Sequence, residues 1–259
     1  MPDELRSPRT GGRWTSRRKQ MPSTTVVSLA EEAYSAIRED ILRGQLRPGA
    51  PLSRRRLARQ FGMSAVPVSD ALRRLEEEGL VESRARAGTR VRVPTAQDVR
   101  ELYELREALE SQSARLFAAR ATPPQRRDLK RLAEQVDVLF TRLATSGDDP
   151  AFRFTVNSHH MALHMRIAEY AGSPLIKQVI ERKHVLIMNW LFDVTGRRTP
   201  LPPGFHARLA DALTSGSPEV ADAAMRAHVR YGLAEIASGI EALEPVEWRE
   251  RRGKGAKGA

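Results

Sequence analysis

Residues 48–91 decide the fold of the N-terminal part of this chain, and they read PGAPLSRRRLARQFGMSAVPVSDALRRLEEEGLVESRARAGTRV. Apolar residues at helical spacing predict one helix over residues 53–61 and another that Ser64 caps and Gly79 ends. Strand-like runs at residues 80–82 and 89–93 then flank a turn at residues 85–88. Two helices across a tight turn, followed by a two-stranded wing, are typical of a winged helix-turn-helix, which inserts its second helix into the DNA major groove.

The positive charge of the chain lies mostly around this motif. The 259 residues carry a net charge of +11, and residues 1–95 hold 19 Lys and Arg against 11 Asp and Glu. Such an excess favours a polyanionic partner, and double-stranded DNA fits both observations. There is no Cys, which excludes disulfides and thiolate metal sites. No apolar run approaches the roughly 18–20 residues of a membrane span, so we expect a cytoplasmic protein without membrane contact.

The chain divides into four predicted segments. Residues 1–26 are predicted to be a disordered basic arm, because they are rich in Arg, Ser, Pro and Gly and have little to bury. The winged motif extends over residues 27–94, an all-helical domain follows over residues 95–243, and residues 244–259 are predicted to be a basic disordered tail. The expected helices of the second domain are 96–120, 123–145, 149–171, 174–195, 204–215 and 218–243. The predicted fold class is mainly α, an N-terminal winged helix-turn-helix followed by an all-α helical bundle.

Four of the six histidines form two pairs that can converge on one ion. His160 and His164 are four residues apart, which places them on one face of a predicted helix. His206 and His228 lie at similar distances on either side of a helix break at residues 216–218, so an antiparallel hairpin brings them level. Imidazole suits zinc or nickel, and the pattern therefore predicts a divalent metal site, with zinc or nickel favoured. The alternative is that these are ordinary core or surface histidines.

Arg106 stands out on the helix predicted at residues 96–120. It shares a largely apolar face with Leu102 and Leu109. The spacing alone is equally consistent with a functional residue and with an Arg that pairs with Glu110 while its stem covers apolar surface.

The winged motif resembles the GntR family of bacterial transcription regulators. The positions that match the family pattern in register are Pro48, Gly49, Leu52, Leu57, Ala58, Phe61, Gly62, Ser64, Pro67, Val68, Ala71, Leu72, Leu75, Glu78, Gly79, Leu80, Val81, Gly88 and Val91. The helical remainder resembles the FadR-type ligand-binding domain, called FCD, through Leu163-His164, Gly172-Ser173-Pro174-Leu175, His206 and His228. Together the resemblances imply a regulator with an N-terminal DNA-binding domain and a C-terminal ligand-binding domain.

The resemblance also indicates which residues face DNA. The family usually has Arg directly after the capping serine and again after the Pro-Val pair, where this chain has Ala65 and Ser69. The predicted DNA-contacting residues are Arg54, Arg55, Ser64, Ala65, Val66, Ser69, Arg73, Arg86 and Gly88. Most of the arginines are expected to contact phosphates, which adds affinity without sequence information.

The FCD resemblance implies a metal and an effector. In these domains the usual ligands are an Asp four residues before the first His, that His, and two later histidines. His164, His206 and His228 occupy the histidine positions, and His160 occupies the Asp position. An Arg in the first helix often lines the effector pocket, so Arg106 is a predicted effector ligand, and so is Asn157 near the His160 face. A metal without a carboxylate ligand is more positive than the family norm, which favours a small organic acid as effector.

Three function classes compete. The leading prediction is a transcriptional regulator, expected to be a repressor, that binds a palindromic operator as a homodimer, because each winged motif contacts one half-site. The alternative is a metal-dependent hydrolytic enzyme that uses the histidine cluster to activate water. The carboxylates near the histidines in sequence are Glu169, Asp211 and Asp222, and neither Asp shares a helix face with its neighbouring histidine, so nothing demands catalysis. The third class, a structural DNA-coating protein, does not explain an apparent ligand site.

Overall fold

The N-terminal unit packs three helices against a small sheet. The computed structural model describes residues 28–146, 149–183 and 200–240. The elements of this unit are α1 (Leu29–Leu42), β1 (Pro51–Leu52), α2 (Arg54–Phe61), α3 (Ala65–Glu77), β2 (Val81–Arg84) and β3 (Gly88–Val91). β3 lies in the middle and pairs antiparallel with both other strands, with Leu52 opposite Thr89 and Val81 opposite Val91. The sequence predicts β2 and β3 but not β1, because two residues are too few to show an alternating pattern.

The helix-turn-helix follows from local sequence. Ser53 caps α2, since its hydroxyl accepts a hydrogen bond from the Arg56 N–H at 3.4 Å. Gly62 ends α2 with a φ of 65°, a left-handed conformation that glycine adopts without strain, and this turns the chain into α3. Leu57 and Leu75 are at most 2% exposed in the core that the helices share. This packing fixes the outer face of α3 relative to the wing.

The second unit is helical, as predicted. Its elements are α4 (Ala96–Arg120), α5 (Pro123–Thr145), α6 (Pro150–Tyr170), α7 (residues 174–183), α8 (Phe205–Thr214) and α9 (Pro218–Ile240). The predicted bounds of α4 and α5 are confirmed, and the starts of α6, α8 and α9 fall within one residue of the prediction. The predicted arm at 1–26, the continuation of α7 to residue 195, the end of α9 at residue 243 and the tail at 244–259 lie outside the described residues.

The helices of the second unit surround one core. α4 packs against α6, α8 and α9, and α5 packs against α6 and α8. α4 and α6 run in the same direction, because Glu110 lies beside His164 and Arg120 donates to the Ala171 carbonyl at 3.0 Å. Most of the core is apolar, with Phe117 fully buried, but polar side chains interrupt it near Glu110. Buried polar groups need hydrogen-bond partners, so a cluster of them in an apolar core indicates a candidate functional site at this position in the bundle.

Contacts at the junction and further from it join the units. At the junction, Thr95 and Asp98 form a reciprocal capping box at the start of α4, and the Asp98 carboxylate also accepts from Arg92 at 2.6 Å. Elsewhere the Arg43 guanidinium, just after α1, lies 4.8 Å from the Phe154 ring centroid on α6. None of the described helices is both long and apolar enough to cross a membrane.

Candidate functional site

A basic groove of about 800 Å³ lies between α2, the beginning of α3 and the wing. Its lining is Leu52, Ser53, Arg54, Arg55, Ala65, Ser69, Arg84, Ala85, Arg86, Gly88 and Thr89. Six of the nine predicted DNA-contacting residues are in that lining. The other three, Ser64, Val66 and Arg73, are exposed on or directly before α3 beside the groove. A helix edge flanked by arginines from two elements is suited to a DNA duplex.

Ser64 is the N-cap residue of α3, as the sequence predicts, but its side chain does not cap the helix. Ser64 has the extended backbone of a capping residue, but its hydroxyl makes no capping hydrogen bond. A capping serine accepts from the N–H two or three residues later, and the residue three later is Pro67, which has no N–H. The hydroxyl is therefore not used by the helix and stays exposed at the predicted DNA face.

The remaining side chains of the predicted DNA face differ in exposure and in whether they already have hydrogen-bond or ion-pair partners. Val66 is 68% exposed, whereas the Ser69 hydroxyl donates to the Ala65 carbonyl at 2.9 Å. Arg73 is exposed and pairs with Glu77 one turn later. At the wing tip Arg86 has a φ of 66°, an uncommon conformation for a residue with a side chain.

Four imidazoles meet in the second unit, as their spacing predicts. α6 supplies His160 and His164, α8 supplies His206, and α9 supplies His228. The Nε2 atoms of His160, His164 and His228 are 3.0, 3.2 and 3.3 Å apart pairwise. One ring nitrogen each from His160, His206 and His228 lies within 4.8 Å of the others. His164, His206 and His228 are buried, so the cluster lies inside the bundle.

Carboxylates orient two of these rings from behind. The Nδ1 of His164 lies 2.6 Å from Glu110 of α4, and the Nδ1 of His206 lies 2.7 Å from Asp137 of α5. A carboxylate partner keeps the proton on Nδ1 and leaves the Nε2 lone pair directed at the centre of the cluster. The Phe140 ring stacks on His206 with 5.2 Å between centroids and restricts the rotation of that imidazole.

The environment favours neutral imidazoles. Burial lowers the pKa of His160 and of His228 well below the usual value, and the neighbouring histidines and Arg106 lower both further. Burial alone would raise the pKa of Asp137, but hydrogen bonds from the His206 side chain and from two backbone N–H groups lower it overall. The cluster therefore combines neutral imidazoles at His160 and His228 with an ionised Asp137 carboxylate, and neutral imidazoles are the form that binds a cation.

The donor set fits a divalent metal ion. Nitrogens at 2.0–2.1 Å from one ion, in tetrahedral or octahedral arrangement, are about 2.9–3.4 Å apart, which includes the three separations within the cluster. The ring nitrogens of His160, His206 and His228 lie close enough for one cation to bind all three. The Nε2 of His206 has no hydrogen-bond partner among the described residues, as expected of an atom reserved for a ligand.

Arg106 connects the cluster to a small cavity. Its guanidinium is 5% exposed, donates to Glu110 at 2.7 Å and lies 4.7 Å from the ring centroid of Tyr103. Arg106 pairs with Glu110, as one interpretation of the sequence predicts, and it also lines the cavity, whereas its role as an effector ligand stays a prediction. The cavity encloses about 60 Å³ and is lined by Tyr103, Arg106, Phe140, His160, Met161, Leu201, Phe205, His206, His228, Tyr231, Gly232, Glu235 and Ile236.

The polar residues that the sequence places near the histidines differ in where they lie relative to the cluster. Asn157 is buried one turn before His160 but is not among the described residues that line the cavity. Asp211 and Asp222 are near histidines in sequence but are predicted to lie off their helix faces, and in the structure they pair with Lys130 and Arg226 instead. Asp137, which does contact a histidine, was missed; it belongs to α5 and lies 69 residues before its partner. No sequence signal links two residues at that separation.

Comparison with known proteins agrees with this architecture. The family described as "Bacterial regulatory proteins, gntR family" matches residues 29–91, and the FCD domain matches residues 101–231. A probable D-xylose utilization operon transcriptional repressor of Paenarthrobacter nicotinovorans is 31% identical over 82% of this chain and 88% of its own length. These similar proteins are transcriptional regulators rather than enzymes, which removes the hydrolase alternative.

Solved structures show the same fold. McbR/YncC of E. coli superposes with a TM-score of 0.64 at 24% identity over 82% of this chain and 98% of its own. A putative GntR regulator from Rhodococcus sp. RHA1 gives a TM-score of 0.67 at 23% identity over 83% and 99% of the two chains. The winged helix-turn-helix, the helical domain and the sequence matches agree, and the chain belongs to the GntR family of bacterial transcriptional regulators with an FCD domain.

Proposed function

We propose that this regulator is a repressor whose binding to a palindromic operator is changed by a small carboxylate effector at a metal-containing pocket. The observation that carries the proposal is the convergence of four imidazoles beside the buried Arg106. A cation and a guanidinium on the same cavity form a site for an anion, because each offers positive charge in a medium of low dielectric constant. The Paenarthrobacter relative is described as a probable repressor, which supports the direction of regulation.

His160, His164, His206 and His228 would hold the metal, with zinc or nickel favoured by an all-imidazole donor set. When bound, the ion supplies a positive charge and an open coordination position for a carboxylate oxygen. The protein supplies the rest: Glu110 and Asp137 keep two rings in the tautomer that ligates, and Phe140 holds the His206 plane. His160 stands where the family usually has Asp, so the site has one negative charge fewer in its ligand set.

Charge and volume limit the effector. A divalent ion and Arg106 would carry three positive charges, and Glu110 and Asp137, which contact the same groups, carry two negative ones. Glu235 also lines the cavity, and its negative charge disfavours an effector with more than one carboxylate. A cavity of about 60 Å³ has room for about four to six waters, and a short acid fills such a space. Asn157 stays a predicted effector ligand, since neither polar atom of its buried amide has a hydrogen-bond partner among the described side chains.

Two helices can carry the signal to the DNA-binding unit. α4 holds Arg106 and also Asp98, which pairs with Arg92 at the end of the wing. α6 holds two of the histidines and also Phe154, which lies under the Arg43 guanidinium. An effector that shifts either helix would therefore move the DNA-binding unit, and a differential affinity of about 1–3 kcal/mol would change operator binding roughly 5- to 150-fold.

A screen of short organic acids tests the proposal. The metal-loaded protein is heated with each acid, and every acid that raises its melting temperature is then added to a titration of the selected operator. We expect a C2–C4 monocarboxylate to stabilise the wild type and to weaken its DNA binding, and to do neither with Arg106→Ala. Acids that stabilise Arg106→Ala equally, or that leave operator affinity unchanged, contradict the effector role without affecting the DNA-binding function.

Replacing Arg55 or Arg86 with Ala is expected to weaken DNA binding on all sequences to a similar extent. Both side chains are exposed at the basic groove, where contact with phosphate supplies affinity but no readout. Each lost phosphate contact should reduce the slope of log K against log salt by about 1. Arg131→Ala, an exposed Arg on α5 that pairs with Asp128, is the control and should leave the slope unchanged. A sequence-dependent loss would instead assign base readout to the arginine.

The same operator titrations test the homodimer. We expect a two-fold symmetric duplex to bind two chains, and a single half-site to bind far more weakly, because each chain presents one α3 to the major groove. Sedimentation of the complex gives the stoichiometry directly. One chain on a full-length site, or no symmetric sequence enriched from random DNA, contradicts the proposal.

A further inference from the structure

The first two turns of α3 carry no exposed side chain that can bind guanine through two hydrogen bonds. Along its first two turns the exposed side chains are Ala65, Val66 and Asp70, and the Ser69 hydroxyl is bonded to the Ala65 carbonyl. In the major groove guanine presents two acceptors, O6 and N7, which the paired donors of Arg fill. The Asp70 carboxylate accepts rather than donates. The first basic side chain of α3, Arg73, lies eight residues after Ala65, which is about 12 Å further along the helix.

What this face offers is apolar contact. Val66 is 68% exposed, and Ala65 beside it is exposed too. The major-groove edge of thymine is the only one with a methyl group, and small apolar side chains read that base by contact with the methyl. We propose that Val66 reads thymine, so that each half-site of the operator carries an A·T pair opposite Val66 and is selected by a methyl contact.

The arginines around the groove are compatible with this division of roles. Arg54 and Arg55 belong to α2, and Arg84 and Arg86 belong to the wing, so none of them lies on the helix that enters the major groove. They suit the phosphates on both sides of the groove and leave the base edges to α3. Burial of Val66 against a thymine methyl removes apolar surface of both partners from water, which favours the thymine-containing site.

Thymine-to-uracil replacement tests the proposal, because uracil lacks only the methyl group. Duplexes are first selected from random DNA by the full-length protein, and each thymine of the enriched sequence is then replaced in turn. We expect one position in each half-site at which uracil weakens binding about four- to tenfold. With Val66→Ala the thymine duplex should bind less tightly and the uracil penalty should fall below about twofold. Val138→Ala, a valine of α5 that is 59% exposed, is the matched control and should keep the full penalty.

Three results would overturn this inference. Binding that is insensitive to uracil at every position excludes a methyl contact. A selected half-site with guanine at every base pair that α3 reaches excludes thymine readout, and a uracil penalty that persists in Val66→Ala assigns the contact to another residue. The inference rests on the proposed operator binding, yet the tests separate the two. Failure to enrich any sequence refutes both, whereas an enriched sequence without a uracil effect refutes only the role of Val66.

Discussion

Replacing His206 or His228 with alanine is expected to abolish metal binding, whereas replacing His159 leaves it intact. His206 and His228 direct ring nitrogens at the shared centre from α8 and α9. His159 is exposed on α6, next to His160 in sequence, and its Nδ1 lies 2.8 Å from the Thr155 carbonyl, which makes it a matched control. Loss of a hydrogen-bond partner behind a ligand typically costs about 10- to 100-fold in metal affinity, and loss of the ligand itself should exceed that range.

Elemental analysis and competition with a chromophoric chelator measure this effect. We expect one zinc or nickel ion per chain in the wild type and in His159→Ala, and less than a tenth of that in the His206→Ala, His228→Ala double variant. Metal at 100 times its dissociation constant stabilises the folded state by about 2.7 kcal/mol, so the metal should raise the melting temperature of the wild type by several degrees. Full metal content in the double variant would place the ion elsewhere.

Local signals account for what the sequence predicts well. Gly62, Ser53 and the apolar spacing of α2 and α3 act within a few residues of each other, so the winged motif could be predicted nearly completely. The exception at Ser64 is also local, since Pro67 removes the N–H that a cap would use. The approach of His206 to His228 could also be predicted. The two residues lie at similar distances on either side of the helix break at residues 216–218, so an antiparallel hairpin brings them level.

Long-range contacts account for what the sequence does not predict. Asp137 approaches His206 only because α5 packs against α8, and Glu110 reaches His164 only because α4 and α6 run side by side. Asp211 and Asp222 are nearer to histidines in sequence, yet both point to surface cations instead. The face that a helix turns inward is set by all of its neighbours, so carboxylates behind a metal site are visible only once the bundle is assembled.

Glu110→Ala is expected to produce the largest loss of stability of any substitution considered for this chain. The Glu110 side chain is 2% exposed and lies between two groups, accepting from Arg106 at 2.7 Å and lying 2.6 Å from the His164 Nδ1. Although burial alone would lower it, the pKa of Arg106 is raised, chiefly by this carboxylate. Removal of Glu110 leaves a buried guanidinium without a counter-charge, which typically costs about 3–5 kcal/mol.

A more exposed carboxylate of α4, Glu107, supplies the control. Glu107 lies one turn before Glu110 and pairs with Arg226 and Arg230, whose side chains are 40% and 67% exposed. Water already solvates these partners, so Glu107→Ala should cost no more than about 1 kcal/mol. Urea unfolding of the metal-free proteins compares the two variants directly. Equal stability of Glu110→Ala and Glu107→Ala would show that the buried pair has no special role.

Two further variants separate charge pairing from metal positioning. A Glu110→Ala, Arg106→Met double variant removes both charges and should regain a large part of the stability lost in Glu110→Ala, because no unpaired ion remains in the core. It should not regain metal affinity, since His164 has still lost the partner that holds its tautomer. Glu110→Gln keeps the shape and a carbonyl acceptor, so it should fold well while its metal affinity falls about 10- to 100-fold. Wild-type metal affinity in Glu110→Gln would mean that the carboxylate only neutralises Arg106 and does not orient His164.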